Sequence, residues 1–238
     1  MKKRNILLTT ITLISLAYSS LNAQELSQKE KSISLLEKAF STNQDRSGLA
    51  YINEKKYIQH NLYAQDGIAG LKGYLDYLKG KELEYKVLIA FEDNNYAVTF
   101  SFAKQGDEIN KVIDIFRFEK GLIVEHWDNA ETLNKDENLN KDENLNVVKT
   151  VDLDKTQANK NLIKELINKK VLDGTYLKNH LILAQGNFVL ALNEIEKDNQ
   201  KISLYELFDV KDSKIVKKWD IEEKILPLSQ WQNSNGKF

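Results

Sequence analysis

The sequence predicts an α+β fold that is present in two tandem copies. Helix-like patterns precede strand-like runs in both copies, and a low-complexity segment lies between them. Asp93–Asp128 aligns with Gln185–Asp220 without a gap, and apolar residues fall on apolar residues throughout. We therefore expect an internal duplication, with these bounds: a first copy at 28–132, a linker at 133–158, a truncated second copy at 159–232 and a tail at 233–238.

The elements within each copy follow from hydrophobic periodicity. In the first copy, apolar residues at helical spacing predict helices near Ile33–Phe40, Leu49–Tyr57 and Ile68–Leu78. Runs rich in Val, Ile, Phe and Tyr then predict an antiparallel meander: Glu84–Phe91, Tyr96–Phe102, Lys111–Phe118 and Leu122–Asp128. The second copy has one helical run, Asn161–Leu172, before strands that begin near Tyr176. Because it lacks two of the helices, we expect no independent pocket there.

The linker contains an exact tandem repeat. The sequence LNKDEN occurs twice in succession from Leu133, followed by a further LN. With one leucine in each unit it has no apolar face to bury, which predicts a solvated connection between the copies.

The N-terminal residues have the organisation of a secretory signal peptide. Lys2, Lys3 and Arg4 precede an apolar run from Ile6 to Leu16, and cleavage after Ala23 is acceptable. The alternative is an N-terminal membrane anchor, but the run is shorter than the ~20 residues that a span requires. We therefore expect residues 1–23 to be removed and the protein to be periplasmic or secreted, with no membrane association afterwards.

Composition excludes several classes of function. The chain has 34 Lys plus Arg against 35 Asp plus Glu, so it lacks the basic surface that nonspecific nucleic-acid binding needs. It has no cysteine and three histidines, which argues against thiolate chemistry and histidine-rich metal sites. No phosphate-binding loop or metal-ligand spacing occurs. We expect no cofactor, no metal and no nucleic-acid partner.

The hairpin that ends the first meander carries the strongest candidate for chemistry. If Glu119–Gly121 forms a three-residue loop, Asp114 pairs with His126 and Phe116 with Val124 on one apolar face. A carboxylate beside an imidazole on an apolar wall is what general acid/base chemistry requires. Two alternatives remain: a two-residue loop would break this pairing, and the pair could be an ordinary ion pair at a sheet edge. The aligned residues of the second copy, Glu206 and Lys218, predict such a structural pair.

A second candidate motif is Tyr57-Ile58-Gln59-His60-Asn61. At a helix end or in the loop after it, Tyr57 and His60 are three residues apart and share a face, where both can donate hydrogen bonds. The alternative is a solvated helix end that Asn61 caps.

Taken together, these motifs resemble the SnoaL-like branch of the nuclear transport factor 2-like superfamily. The resemblance rests on YIQHN at Tyr57–Asn61, DGIAGLKGYL at Asp66–Leu75 and DIFRFEKGLIVEHWD at Asp114–Asp128. It departs from the family pattern at Leu62, where the family has proline, and at Asn129–Glu131. The resemblance implies a cone-shaped, curved antiparallel sheet packed on helices around a pocket.

The resemblance also implies roles for particular residues. Asp114 would be the acid/base of an aldol-condensation or isomerase-type proton transfer, with His126 beside it. Four residues would line the pocket for a small hydrophobic molecule: Tyr57, His60, Asn61 and Phe116. Because the fold is also used by noncatalytic proteins, a ligand-binding module or an interaction protein remains an alternative.

The outer face of the sheet predicts an interface. Trp127 and Trp219 hold equivalent positions on the faces opposite Asp114 and Glu206, and they would otherwise be exposed. We expect these faces to pack together, as a pseudo-dimer within one chain or as a homodimer.

Overall fold

The computed structural model describes residues 25–133, 147–169 and 176–238. The predicted signal peptide, nearly all of the tandem repeat and the predicted end of the helix in the second copy lie outside these residues. The described chain has a mixed α+β architecture with two sheets, one of five strands and one of four. No helix within these ranges is both long enough and apolar enough to span a bilayer.

The first copy places its helices before its sheet. The first helix, α1 (Gln28–Ala39), begins in a capping box, in which Ser27 and Glu30 bond each other's backbone amides. The predicted second helix is instead a short 3₁₀ helix, Arg46–Tyr51, and the chain is extended again from Ile52. The elements are α1 (Gln28–Ala39), β1 (Ile58–Gln59), α2 (Gly67–Tyr77), β2 (Leu83–Asp93), β3 (Tyr96–Gln105), β4 (Glu108–Glu119) and β5 (Leu122–Thr132).

The five strands lie in the order β1-β5-β4-β3-β2. All neighbouring pairs are antiparallel except β1, which runs parallel to β5. Leucines on one face of α1, together with Leu75 of α2, pack against the sheet. This arrangement leaves part of the sheet's inner face open beneath the helices.

The register of the β4–β5 hairpin differs from the predicted one. The loop has two residues, Lys120 and Gly121, and both have positive φ angles of 50° and 76°, as a type I′ turn requires. A bulge then follows between Arg117 and Phe118, so that Asp114 pairs with Asp128 and Phe116 with His126. The predicted Asp114–His126 pairing is therefore wrong. However, the bulge restores the parity that the shorter loop changes, so Asp114 and His126 still share a face.

The second copy repeats the meander beneath a single helix. Its elements are α3 (Thr156–Asn168), β6 (Tyr176–Gln185), β7 (Phe188–Lys197), β8 (Gln200–Lys211) and β9 (Lys214–Lys224), with the strands in sequence order. Ile163 and Ile167 of α3 are buried against the inner face of this sheet, where Phe208 is fully enclosed. One helix thus covers the face that the first copy leaves partly open.

The two sheets pack against each other through their outer faces. Strand β5 contacts β9, and β2 contacts β6. The shared core contains apolar residues of both sheets, among them Phe91, Phe100, Ile115, Trp127, Phe188, Tyr205, Leu207 and Ile221, with Trp219 packed at its margin.

Asn129 makes hydrogen bonds across this interface. Its side chain is fully buried, and its amide donates to the carbonyl oxygens of Ser203 and Ile221 at 2.8 and 3.1 Å. Its oxygen accepts from the Ser203 hydroxyl at 3.1 Å. Asn129 therefore fixes one sheet on the other.

The C-terminal segment, residues 225–238, returns from the second copy to the first. Its backbone and its asparagines bond the chain between Gln59 and Asp66: Gln232 donates to the Leu62 carbonyl at 2.9 Å, and Asn233 donates to that of Asn61 at 2.7 Å. Lys237 is almost completely buried between the Asp128 carbonyl and the Glu223 carboxylate. The C-terminal segment thus holds the chain that contains the end of the predicted motif.

Candidate functional site

A cavity of about 640 Å³ lies between α1, α2 and the inner face of the first sheet. This volume is typical of small-molecule sites. Its wall is largely apolar, with leucines and aromatic residues from both helices and from the sheet. Polar groups converge at the sheet: Tyr57, Gln59, Asn61, Tyr85, Asp114, His126 and Asp128.

Asp114 lies on β4 at the floor of this cavity and is 3% exposed. Three donors reach its carboxylate. His126 Nε2 lies 3.0 Å from Oδ1, and the hydroxyls of Tyr85 and Thr99 donate to Oδ2 at 2.6 and 3.3 Å. Buried carboxylates require such donors, and these three also fix the direction in which the carboxylate points.

Two aromatic rings and two polar partners hold the His126 ring. Phe116 stacks on it with ring centroids 4.6 Å apart, and Tyr57 lies parallel to it at 6.4 Å. The Gln59 amide nitrogen is 3.1 Å from Nδ1, on the opposite side from Asp114. The imidazole therefore has a fixed orientation with one nitrogen directed at the carboxylate.

The surroundings of His126 favour its protonated form. Burial disfavours the imidazolium, but the hydrogen bond to Asp114 and the negative charges of Asp128 and Asp114 outweigh it, so the pKa of His126 is raised above its ordinary value. Lys237 opposes this effect. Burial also raises the pKa of Tyr57, as do the nearby carboxylates. Tyr57 consequently keeps its hydroxyl proton and can donate a hydrogen bond to a ligand.

Five of the six residues predicted from the sequence line the cavity: Tyr57, Asn61, Asp114, Phe116 and His126. Asn61 donates to Asp128 Oδ2 at 3.0 Å. His60 is the exception to the predicted pocket, since it lies on the opposite face of the sheet. There it stacks on Trp127 at 4.5 Å and contacts Glu125 at 2.8 Å.

The position of His60 has a simple backbone cause. The predicted helix end is a short strand, in which successive side chains point to opposite faces. Gln59 therefore faces the cavity and His126, whereas His60 faces outward and contacts the carbonyl of Gly236.

Sequence reasoning missed four residues that shape the site: Gln59, Tyr85, Thr99 and Asp128. Thr99 was detectable, because it pairs directly with Asp114 across β3 and β4. Asp128 could be paired with Asp114 only with the observed register. Tyr85 comes from β2, which is not adjacent to Asp114 in the sheet, so no pairing rule links the two residues.

Asp114, His126 and Asp128 also form a group with metal-ligand chemistry. One ligand atom from each residue lies within 4.8 Å of the others. However, the nitrogen that would ligate a metal is His126 Nε2 or Nδ1, and both already face a partner in the protein. The arrangement is therefore better suited to moving a proton than to holding a cation.

The second copy contains a matching but closed arrangement. Glu206 pairs with Asp220 as Asp114 pairs with Asp128. Glu206 is fully buried, accepts from Tyr176 and Asn193 at 2.8 Å each, and contacts Lys218 at 3.3 Å. Burial raises the pKa of Glu206, although Tyr176 and Lys218 oppose the change. Apolar residues of α3 and the sheet pack over this face, whereas a cavity opens above Asp114.

Comparison with solved structures gives a distant structural neighbour. No family model and no curated protein matches the chain. The chain is similar to the solved structure of TsrD from Streptomyces laurentii, with a TM-score of 0.36 and 18% identity over 45% of this chain and 92% of that chain. A similarity of this size says nothing about function.

Proposed function

We propose that the protein is an exported, SnoaL-like protein whose first copy binds a small hydrophobic molecule and transfers a proton on it through Asp114. The observation that carries this proposal is the buried Asp114 carboxylate, oriented by three donors at the floor of a 640 Å³ cavity. The cone-shaped sheet expected from the sequence motifs belongs to the same proposal.

The proposed step is removal of a proton from the carbon next to a carbonyl group. The C–H bond breaks, the proton bonds to the Asp114 carboxylate, and the electron pair moves onto the carbonyl oxygen. The Tyr57 hydroxyl, which burial keeps protonated, stabilises that oxygen by donating a hydrogen bond. The resulting enolate either attacks a second carbonyl, as in an aldol condensation, or regains a proton at another carbon, as in an isomerisation.

The other residues would bind and orient the substrate. Phe116 and the leucines of α1 offer apolar contact, while Asn61 offers its amide beside Asp128. His126 can supply a proton to Asp114 or stabilise its charge, because its Nε2 lies within hydrogen-bond distance. No cofactor enters this proposal.

Deuterium exchange into a simple ketone tests the proposal without knowledge of the substrate. The chain beginning at Gln24 is incubated with 2-tetralone in D₂O, and loss of the α-proton signal is followed by NMR. We expect faster exchange with wild type and a fall of about 10²-fold for Asp114→Asn, with ketone binding retained. Glu206→Gln is the matched control, because it removes the equivalent carboxylate of the second copy and should leave exchange unchanged.

The same experiment separates the alternatives. Binding of the ketone without exchange, with wild type and Asp114→Asn alike, would favour a noncatalytic ligand-binding module. Neither binding nor exchange across a panel of cyclic ketones would favour an interaction protein.

Export and assembly are proposals with separate tests. N-terminal sequencing of the protein from the periplasm or medium should start at Gln24. The packing of the two outer faces inside one chain supports an intramolecular pseudo-dimer. Sedimentation should therefore give a monomer, and a dimer would favour the homodimeric alternative.

A further inference from the structure

A hydrogen-bonded chain leads from the C-terminal segment to the imidazole at the site. The Gln59 side chain is 6% exposed and touches His126 Nδ1, and its backbone pairs with His126 in the parallel β1–β5 ladder. Neither the cavity nor the proposed proton transfer requires a glutamine at this position. Its contacts therefore call for an explanation of their own.

The orientation of the Gln59 amide is fixed by a neighbour. Its Oε1 accepts from the Asn61 backbone N–H at 2.9 Å. Its Nε2 must then be the atom that faces His126 Nδ1, at 3.1 Å. Since an amide nitrogen only donates, Nδ1 accepts and carries no proton in this arrangement. The proton of the neutral imidazole is left on Nε2, which donates it to Asp114 Oδ1 at 3.0 Å.

The protonated ring would place two donors against each other. An imidazolium has a proton on Nδ1, which would oppose the amide hydrogens of Gln59. Turning the amide over would relieve this repulsion, but it would place a donor against the Asn61 N–H instead. Gln59 thus favours the neutral Nε2–H form, against the effect of the Asp114 and Asp128 charges.

The C-terminal segment fixes the backbone of Gln59. The Asn235 amide donates to the Gln59 carbonyl at 3.0 Å and to Asp66 Oδ1 at 2.8 Å. That same Asp66 oxygen accepts from the Gln59 N–H at 2.9 Å. Both backbone groups of Gln59 are therefore tied to a single asparagine and its carboxylate partner.

We infer that Gln59 is a positioning residue that fixes the tautomer of His126 and restrains its protonation, and that Asn235 of the C-terminal segment holds Gln59 in place. This inference rests on the proposed proton transfer for its purpose. It gives the C-terminal segment a role at the site of the first copy. The tautomer and the titration of His126 can both be measured without a substrate.

Several groups act on His126 besides Gln59. Asp114 of β4 and Asp128 of β5 favour the imidazolium, while Lys237 of the C-terminal segment disfavours it. Phe116 and Tyr57 stack on the ring. Replacement of Gln59 leaves all of these in place, so a change in titration would report on the amide alone.

Nitrogen NMR of the imidazoles tests the inference directly. The chain has three histidines, and single replacements by glutamine assign their signals. In wild type we expect neutral His126 to be the Nε2–H tautomer. Gln59→Leu should raise its titration midpoint by about one pH unit, the equivalent of one lost hydrogen bond. Asn235→Ala should move it in the same direction by less.

Two further variants complete the test. Gln59→Glu offers Nδ1 an acceptor with a negative charge, so it should raise the midpoint by about 1–3 pH units. It also decides the outcome if Gln59→Leu fails to fold. Gln185→Leu is the matched control: this glutamine bonds the Glu92 N–H at 3.1 Å, far from His126, and its loss should leave the midpoint unchanged.

The outcomes are distinct from those of the ketone experiment. A wild-type Nδ1–H tautomer, or a midpoint that neither Gln59 variant moves, would overturn the inference. If the titration responds as expected while no ketone exchanges, the proposed function fails and the positioning role of Gln59 stands.

Discussion

His126 and Lys218 occupy equivalent places in the two sheets, and each reaches diagonally across a strand pair to a buried carboxylate. His126 Nε2 lies 3.0 Å from Asp114 Oδ1, and Lys218 Nζ lies 3.3 Å from Glu206 Oε1. The backbone is the same in both hairpins, including the two-residue loop and the bulge that follows it. The two hairpins thus share a geometry but place different groups beside the carboxylate, an imidazole in the first sheet and an ammonium in the second.

Exchange of these two residues tests whether the imidazole is needed. His126→Lys should place an ammonium beside Asp114 and keep the fold, as Lys218 does in the second copy. The rate of deuterium exchange into 2-tetralone should fall about 10²-fold, because the group that relays the proton is lost. Lys218→His is the matched change and should leave exchange as it is. Full activity of His126→Lys would remove His126 from the mechanism.

The raised pKa of His126 predicts a pH-dependent stability. The folded protein binds this proton more tightly than the unfolded chain. The stabilisation is therefore complete below the ordinary pKa of 6.5 and is lost as pH rises through the raised folded value. Urea unfolding at pH 6 and pH 9 should show a larger fall in the free energy of unfolding for wild type than for His126→Gln.

His180 supplies a control of opposite sign. Burial lowers the pKa of His180 although Glu194 opposes the change, so this residue reduces stability as pH falls below 6.5. His180→Gln should flatten the acid side of the stability profile and leave the alkaline side alone. If His180→Gln and His126→Gln changed the pH dependence of stability in the same way, the opposite pKa shifts of the two histidines would be contradicted.

Asn129 should contribute strongly to the stability of the whole chain. Asn129→Ala leaves two buried carbonyl oxygens and the Ser203 hydroxyl without this partner, at a cost of about 2–3 kcal/mol in the free energy of unfolding. Asn161→Ala, on the exposed face of α3, should change that free energy by no more than about 0.5 kcal/mol. Denaturant titration of both variants measures the difference, and equal effects would show that the hydrogen bonds of Asn129 contribute little to stability.

Gly186 and Gly106 form a matched pair for backbone packing. Both have a φ of 59° at the tip of a hairpin. A Cβ on Gly186 would lie 1.9 Å from the Val151 carbonyl oxygen, whereas one on Gly106 would meet nothing within 4 Å. We expect Gly106→Ala to cost about 1 kcal/mol through its backbone conformation alone. Gly186→Ala should cost about 3 kcal/mol or more, because the connecting chain must move. Equal losses of thermal stability would contradict this.

The strands could be predicted from the sequence because their apolar faces follow a strict alternation. Asp114 and His126 were placed on one face by this alternation, although the predicted register was wrong. The register was mispredicted because Lys120 has a positive φ. Residues other than glycine are uncommon in that conformation, so the sequence indicated a loop in which Gly121 alone has a positive φ. The extra residue of the bulge then returned Asp114 and His126 to one face of the sheet. A rule based on loop length alone does not predict such a bulge.

The remaining parts of the site depend on contacts that have no local pattern. His60 was assigned to the pocket because helical spacing would place it on the same face as Tyr57. The chain instead forms the short strand β1 beside β5, so Gln59 faces the cavity and His60 faces outward. The return of Asn235 to Gln59 spans most of the chain, and nothing in a run of asparagine, serine and glycine indicates its partner.

The path of the C-terminal segment has a consequence for the order in which the protein matures. Gln232 and Asn235 leave the ribosome after every residue that they touch, and after the nine strands of the described residues. The helices and sheet around the cavity can therefore assemble during synthesis, while strand β1, which carries Gln59, still lacks its contacts with the C-terminal segment. Newly made chains would pass through a stage in which the cavity already exists but Gln59 does not yet fix the tautomer of His126.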